Sequence, residues 1–513
     1  MTKSIDQLRR DAKSLKKAHL SGDIHAQQRI ANHPPRPEGE ALKHADYLHV
    51  IARENNFASW SALKLAAELY GLDTAARKQR LRIALFHGQA HVINRLLSLS
   101  PDLADGQLGM QIALYDRTAV RNALRDDPSA ATRLIGLRSP LCHLAFSRYI
   151  HQRPDLADDM IAIAEMLVEN GASVDESMSL STENDHQLSV LYGAVGHGDN
   201  MILGRWLLEK GANPNDNESL YHATELGHHE GLRMLLEHGA NPRGTNALLR
   251  AMDFDDITAV RMLLDAGALA GEFDGTHVGG ERPWVIPALH QAARRMSSPE
   301  MIRLLLDAGA DPAREFGGCS CYGYARVFGN QALAREIEKR GAAPQLTPEE
   351  TLLAMAADGA GTGGRMIDAE RLPEAYRNII RTILHLPGKL DHIKRLVALG
   401  IEADHPDTEG LTPVQAAGWE GLPEVMDYLL SLGPNLSHQN GYGGTLLSTI
   451  MHGSENCPQK AARDHVGCLQ LALDAGIAVP RNAADMAGAP EIANLLTAWC
   501  DDHPERLVDG GPL

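Results

Sequence analysis

The 513-residue chain is 44% apolar but only 4% aromatic, which allows a large folded core and argues against both wholesale disorder and an aromatic-rich β-sandwich. Its 66 acidic and 49 basic residues leave a net charge of −17, a poor match for broad binding of nucleic acid or anionic membrane. No apolar run approaches the roughly 18 residues of a membrane-spanning helix, the charged start MTKSIDQLRRDAKSLKKAH lacks a secretory apolar region, and the six scattered cysteines form no disulfide framework. These features predict a cytoplasmic protein with no membrane and no nucleic-acid partner.

Residues 1–78 are expected to form an N-terminal helical cap or a docking arm. SIDQLRRDAKSLKKAHLSGD has helical spacing, NHPPRPEGE at 32–40 is a Pro-rich break, and ALKHADYLHVIAREN and SWSALKLAAELYG have the pattern of two further amphipathic helices. Beyond them the chain repeats itself. LLEKGANPND at 207–216 returns as LLEHGANPRG at 235–244, LLDAGALAG at 263–271 and LLDAGADPA at 305–313, with weaker copies on both sides. Self-similarity at a period of about 28 residues, stretching to about 40 or more where loops are inserted, signals a solenoid rather than three globules. We place a first array at 79–344, an insertion or irregular repeat at 345–383 with an extra helix at 373–383, and a second array with a C-terminal cap at 384–513. Two further insertions fall at 272–286, which contains Trp284, and at 453–465.

TPVQAAGWEGLPEVMDYLLSLG at 412–433 shows one unit most fully. Thr412 can cap a helix whose first turn accepts Pro413. Ala416 and Ala417 allow close helix packing, and Gly421 ends the helix in a left-handed conformation. A second helix follows from Glu424 to Ser431, closed by Gly433. Such a helix–turn–helix–loop unit cannot bury its own apolar face and must stack on copies of itself.

These residues resemble the ankyrin repeat, with its Thr-Pro-Leu-His, Ala-Ala, Gly-His, Leu-Leu and Gly-Ala-Asp/Asn pattern. PALHQAA at 287–293, SPLCHLA at 139–145 and Gly227-His228 carry the likeness. The resemblance implies an all-α ankyrin-repeat solenoid. SPLCHLAFSRY, ESLYHATE, TNALLRAMDFDD and YGGTLLSTIMHGS also look like bacterial ankyrin arrays of about this length, a likeness that transfers no activity.

In an ankyrin-like stack the first helices line a concave face, and the residues after the Ala-Ala pair look into it. Those positions and their neighbours give the candidate ligand-binding set Phe146, Arg148, His197, Tyr221, His222, Glu225, Asp253, Arg294, Trp419 and His452. Arginines suit a carboxylate or phosphate, the acids an amine or guanidinium, and the aromatics supply apolar area with a directional edge. This mixture points to a cytoplasmic binding protein that recognises a protein segment or sequesters a polar small molecule. The alternative is an enzyme, a hydrolase or lyase, with a pocket formed by the concave face and the inserted loops. Ser219, His222 and Glu225 at i, i+3 and i+6 are its best nucleophile–base–acid set, followed by Cys142-His143 and the His452–Cys457 segment. Cys319-Ser-Cys321 is not a paired CxxC set, and GTGG at 361–364 lacks the strand and Lys of a phosphate loop, so no metal and no cofactor are expected.

Overall fold

A computed structural model of the chain describes residues 3–37, 40, 42–179, 186–273 and 286–509. Trp284 and most of the predicted 272–286 insertion lie outside the described residues. Helices dominate, with only two-residue strand pairings among the described residues, so the expected all-α repeat fold is the observed one. The chain divides into two compact units. The first consists chiefly of Lys64–Ala292 and Ser297–Asp311, and the second of Asp6–Leu63, Ala293–Met296 and Pro312–Leu513.

In the first unit the helices come in antiparallel pairs, beginning with Thr74–His87 and Ala90–Leu99, then Leu108–Ala113 and Arg117–Asp126, and Pro140–Ala145 and Ala157–Glu169. Val190–Tyr192, continued by a π-helical turn at Gly193–His197, pairs with Met201–Glu209. Ser219–Ala223 pairs with Glu230–Glu237, and Ala247–Asp253 with Ile257–Asp265. First helices pack on first helices and second on second, giving two layers. One apolar side chain after another is withdrawn completely from water between them: Leu96, Val120, Leu144, Ile163, Leu207, Leu235 and Leu263. Each such burial is worth about 1.5–3 kcal/mol.

The short first helices depend on local chemistry at their ends. Ser139 Oγ accepts the Cys142 N–H while Pro140 fills the first turn, and Ser189 Oγ accepts the Tyr192 N–H. The turn to the second helix needs a left-handed residue. Gly88 and Gly227 supply it at φ 67° and 75°, but Tyr115 occupies it at φ 61°. Tyr115 is held there by burial and by donating its hydroxyl to Ser147 O at 3.4 Å.

The second unit repeats the scheme with Cys321–Phe328 and Gln331–Lys339, Pro413–Glu420 and Pro423–Ser431, and Leu446–Asn456 and His465–Ala475. At 412–433 the expected signals are all present: Thr412 and Gln415 form a reciprocal capping box, and Gly421 is left-handed at φ 65°. Pro348–Ala357 stacks on Cys321–Phe328 and packs against Leu390–Ala398. Between these two lie short helical turns at Ala369–Arg371, Glu374–Arg377 and Ile379–Ile383, so the single helix expected at 373–383 is broken at Asn378. The N-terminal helices belong to this unit. His44–Glu54 packs on the final helix, Pro490–Asp502, and Lys13 Nζ sits 2.7 Å from Asp501 Oδ1.

A candidate binding face on the first unit

Of the ten candidate residues, Phe146, Arg148, His197, Tyr221, His222, Glu225 and Asp253 fall in the first unit, and Arg294, Trp419 and His452 in the second. The first-unit residues come from the ends of several first helices, and most of them join into one row. His197 leaves the π-helical turn with its ring 4.1 Å from Phe86 and its Nε2 2.9 Å from Phe86 O. Phe146, 1% exposed, lies 5.4 Å from His197 and 6.0 Å from Tyr192. A Cβ on Gly193 would stand 2.6 Å from the Phe146 ring, so only glycine lets that ring lie here. Tyr192 continues the row to His222 at 4.9 Å, and Tyr221 packs edge-on to His222 at 5.1 Å.

From His222 the row becomes ionic. Nδ1 of His222 donates to Glu225 Oε2 at 2.8 Å, and its Nε2 lies 3.4 Å from Oε2 of Glu218, a fully buried carboxylate. His186 Nε2 is 2.8 Å from the other Glu218 oxygen. Burial by itself would lower the His222 pKa, but the two carboxylates outweigh it and push it up to about 9. Glu225 shows the reciprocal effect. Burial opposes its ionisation, yet His222 and Arg250 hold its carboxyl below the ordinary value. Arg250 then bridges onward, from Nε to Glu225 Oε1 at 2.7 Å and from Nη1 to Asp253 Oδ2 at 3.0 Å. Its guanidinium carbon is 5.0 Å from the Phe254 ring and 5.9 Å from Tyr221. The buried Gln291 amide donates to Asp253 Oδ1 and ends the row.

This geometry does not assemble the hydrolytic set. Ser219 is fully buried and donates its hydroxyl to Asp216 Oδ2 at 2.6 Å, while both His222 nitrogens face carboxylates. The Ser219 hydroxyl is committed to Asp216 and His222 Nδ1 to Glu225, so neither is turned toward the other. Cys142 is buried and its thiol pKa is pushed up by desolvation, and its neighbour His143 turns Nε2 to Ile135 O. In the second unit, Trp419 and His452 pack at 5.0 Å, Trp419 O is 2.8 Å from His465 Nε2, and Cys457 is buried with Sγ 3.9 Å from Glu420. Arg294 lies on the helix Ala288–Arg295, where its charge acts on Tyr324 and His385. Among the described residues, no group of three or more His, Cys, Asp or Glu could hold a metal ion.

A family model described as Ankyrin repeats (3 copies) matches residues 191–274, and one described as Ankyrin repeat matches 287–315. These are ankyrin repeats. The chain is also similar to a solved ankyrin repeat domain, that of Bcl-3, described as a unique member of the IkappaB protein family. Identity is 19%, over 51% of this chain and 97% of that one, with a TM-score of 0.32. No curated protein matches the chain, and the narrower bacterial likeness therefore finds no support. Ankyrin repeats generally mediate protein–protein interaction. The ankyrin match includes Tyr221, His222, Glu225 and Asp253, whereas Phe146 and Arg148 precede it.

Sequence reasoning missed several members of the row. Glu218, Arg250 and Gln291 were not singled out, and neither was Arg138, whose guanidinium carbon sits 4.7 Å from the centre of the Phe86 ring. Arg138 stands just before Ser139-Pro140, in a turn closed by the Ile135–Arg138 bridge. A side chain at that position reaches the first-helix face from the loop, and that was the available signal.

Proposed function

We propose that the first-helix face running from Phe86 to Gln291 binds a segment of a partner protein. The observation that supports this is the connected row itself. Aromatic, imidazole, carboxylate and guanidinium groups from several repeats touch one another in a row, from His197 on Phe86 to Gln291 on Asp253. Stacking of the repeats requires only the apolar layer beneath. An extended row of mixed polarity on rigid helices presents a preformed surface with little ordering cost on binding. Sequestration of a polar small molecule and hydrolase or lyase chemistry are the other readings. The Ser219 hydroxyl meets Asp216 and His222 Nδ1 meets Glu225, so the serine–imidazole pair of the hydrolase reading is not assembled. A cytoplasmic setting suits the six free cysteines, five of them buried.

A photo-crosslinking residue placed at Tyr221 in the full chain, in cells, tests the reading. A protein adduct is expected at 221 and none with the same residue at Arg303, which is exposed on the second-helix layer. Absence of a protein adduct at 221, or equal labelling at both positions, would count against it.

A further inference from the structure

The two halves of the row differ in one respect. Around Arg250 every charge has a counter-charge within hydrogen-bond reach. Around Phe86, among the described residues, none does. The Arg138 guanidinium carbon lies 4.7 Å from the Phe86 centroid and 5.9 Å from that of Phe146, whose rings are parallel within 3° and 6.0 Å apart. Arg148 lays its stem on Gly88, where a Cβ would meet its side chain at 3.2 Å. Neither guanidinium has a hydrogen-bond or ion-pair partner among the described residues. His87 and His197 flank the same two rings, at 5.1 and 4.1 Å from Phe86.

The scarcity is local. The chain has 66 acidic residues against 49 basic ones, so an arginine without a carboxylate is not forced by composition. Burial lowers the Arg138 pKa, and the Cys142 thiol opposes that shift. Burial, and then Arg148, Arg80 and Arg138, also hold the His87 imidazole below its ordinary value. A desolvated cation without a counter-ion is costly, and that cost falls when an anion arrives. The aromatic floor supplies part of the compensation through the ring face and leaves the guanidinium edge to donate outward.

From this we infer that the Phe86–Phe146 platform is a carboxylate-binding site for an acidic segment of the partner, with Arg138 and Arg148 as the two donors. This deepens the function proposed above and rests on it. A Glu or Asp side chain would take the guanidinium edges while its neighbouring apolar residue lies on the exposed part of Phe86. The half at Glu218, Glu225, Arg250 and Asp253, whose charges pair with one another and with His222, would carry the remainder of the segment.

Calorimetric titration of the full chain with a peptide of alternating Glu and Leu tests this. Wild type should bind it, and Arg138→Gln and Arg148→Gln should each weaken binding about tenfold or more, the scale of one charge-assisted hydrogen bond. Arg125→Gln, on an exposed second-layer helix, should leave binding unchanged, and a Lys-Leu peptide should not bind at all. Circular dichroism melts show whether each variant is folded. If Arg138→Gln unfolds, the partly exposed Arg148→Gln and the charge-conserving Arg138→Lys carry the test. No binding by wild type, unchanged binding by the folded arginine variants, or full displacement of the peptide by inorganic phosphate would overturn the assignment. Loss of binding in a Tyr221→Ala, Arg250→Ala variant with no loss at Arg138 or Arg148 would keep the binding face and sink the carboxylate site. Indifference of all four positions would sink both.

Discussion

Nδ1 of His222 donates to Oε2 of Glu225 across 2.8 Å. With Glu218 on its other nitrogen, His222 holds its proton until about pH 9, against 6.5 for the free side chain. A raised folded-state pKa contributes stability that is complete below the unfolded value and lost as pH rises through the folded one. Thermal midpoints should therefore fall between about pH 6.5 and 9. His222→Gln should flatten that limb, and an equally steep decline in the variant would refute the assignment.

The acid limb has the opposite origin. His143 and His197 are held to about 4, first by burial and then, through their nearby arginines, by like charge. The unfolded chain takes up those protons near pH 6.5 while the folded one does not, so stability falls as pH drops from 6.5 towards 4. Urea midpoints at the two ends of this range should converge in His197→Gln relative to wild type. A gap of the same size would show that other groups control acid unfolding.

Arg250 holds two carboxylates at once, 2.7 Å from Glu225 and 3.0 Å from Asp253. Arg250→Ala should destabilise by about 1–3 kcal/mol, because two partly buried acids lose their shared cation. Arg250→Lys should recover less than half of the loss, since one ammonium cannot span both acceptors as a planar fork does. Full recovery with lysine would mean that only the charge matters.

Gly193→Ala places a methyl 2.6 Å from the Phe146 ring, where the platform has no room to give. The expected loss is about 1–3 kcal/mol by denaturant titration. Gly71→Ala, which meets nothing within 4 Å, should be near neutral. Equal effects at the two glycines would detach the platform geometry from stability.

Thr412→Ala removes one half of a capping box and should lower stability by about 1 kcal/mol, with Thr412→Ser retaining most of it. A melt of Thr412→Ala that overlays wild type would show that the neighbouring repeats hold this helix without its cap.

Thr412, Pro413 and Gly421 were legible because their chemistry is finished within a few residues: a hydroxyl meets a backbone N–H three positions on, and a glycine turns left-handed. His222 and Glu225 were legible as a pair for the same reason, being three apart, one at the end of a short helix and one in the turn that follows it. Arg250 was not. Its main partner, Glu225, is 25 residues away, and the contact exists only after one repeat stacks on the previous one. Phe86 and His197 are 111 residues apart and meet across intervening repeats. The fold was thus written in local signals, while the binding face is written in repeat-to-repeat register, which periodicity announces without saying which side chains will touch.

The Lys13–Asp501 contact joins residues 488 positions apart. During synthesis His44–Glu54 is made well before Pro490–Asp502, the helix on which it packs. At cellular elongation rates that interval is on the order of a minute. For that time the face of His44–Glu54 that packs on Pro490–Asp502 lacks this partner and is supported only by its own neighbours in the chain. A premature stop anywhere before residue 490 would release a chain whose leading helices never find their seat.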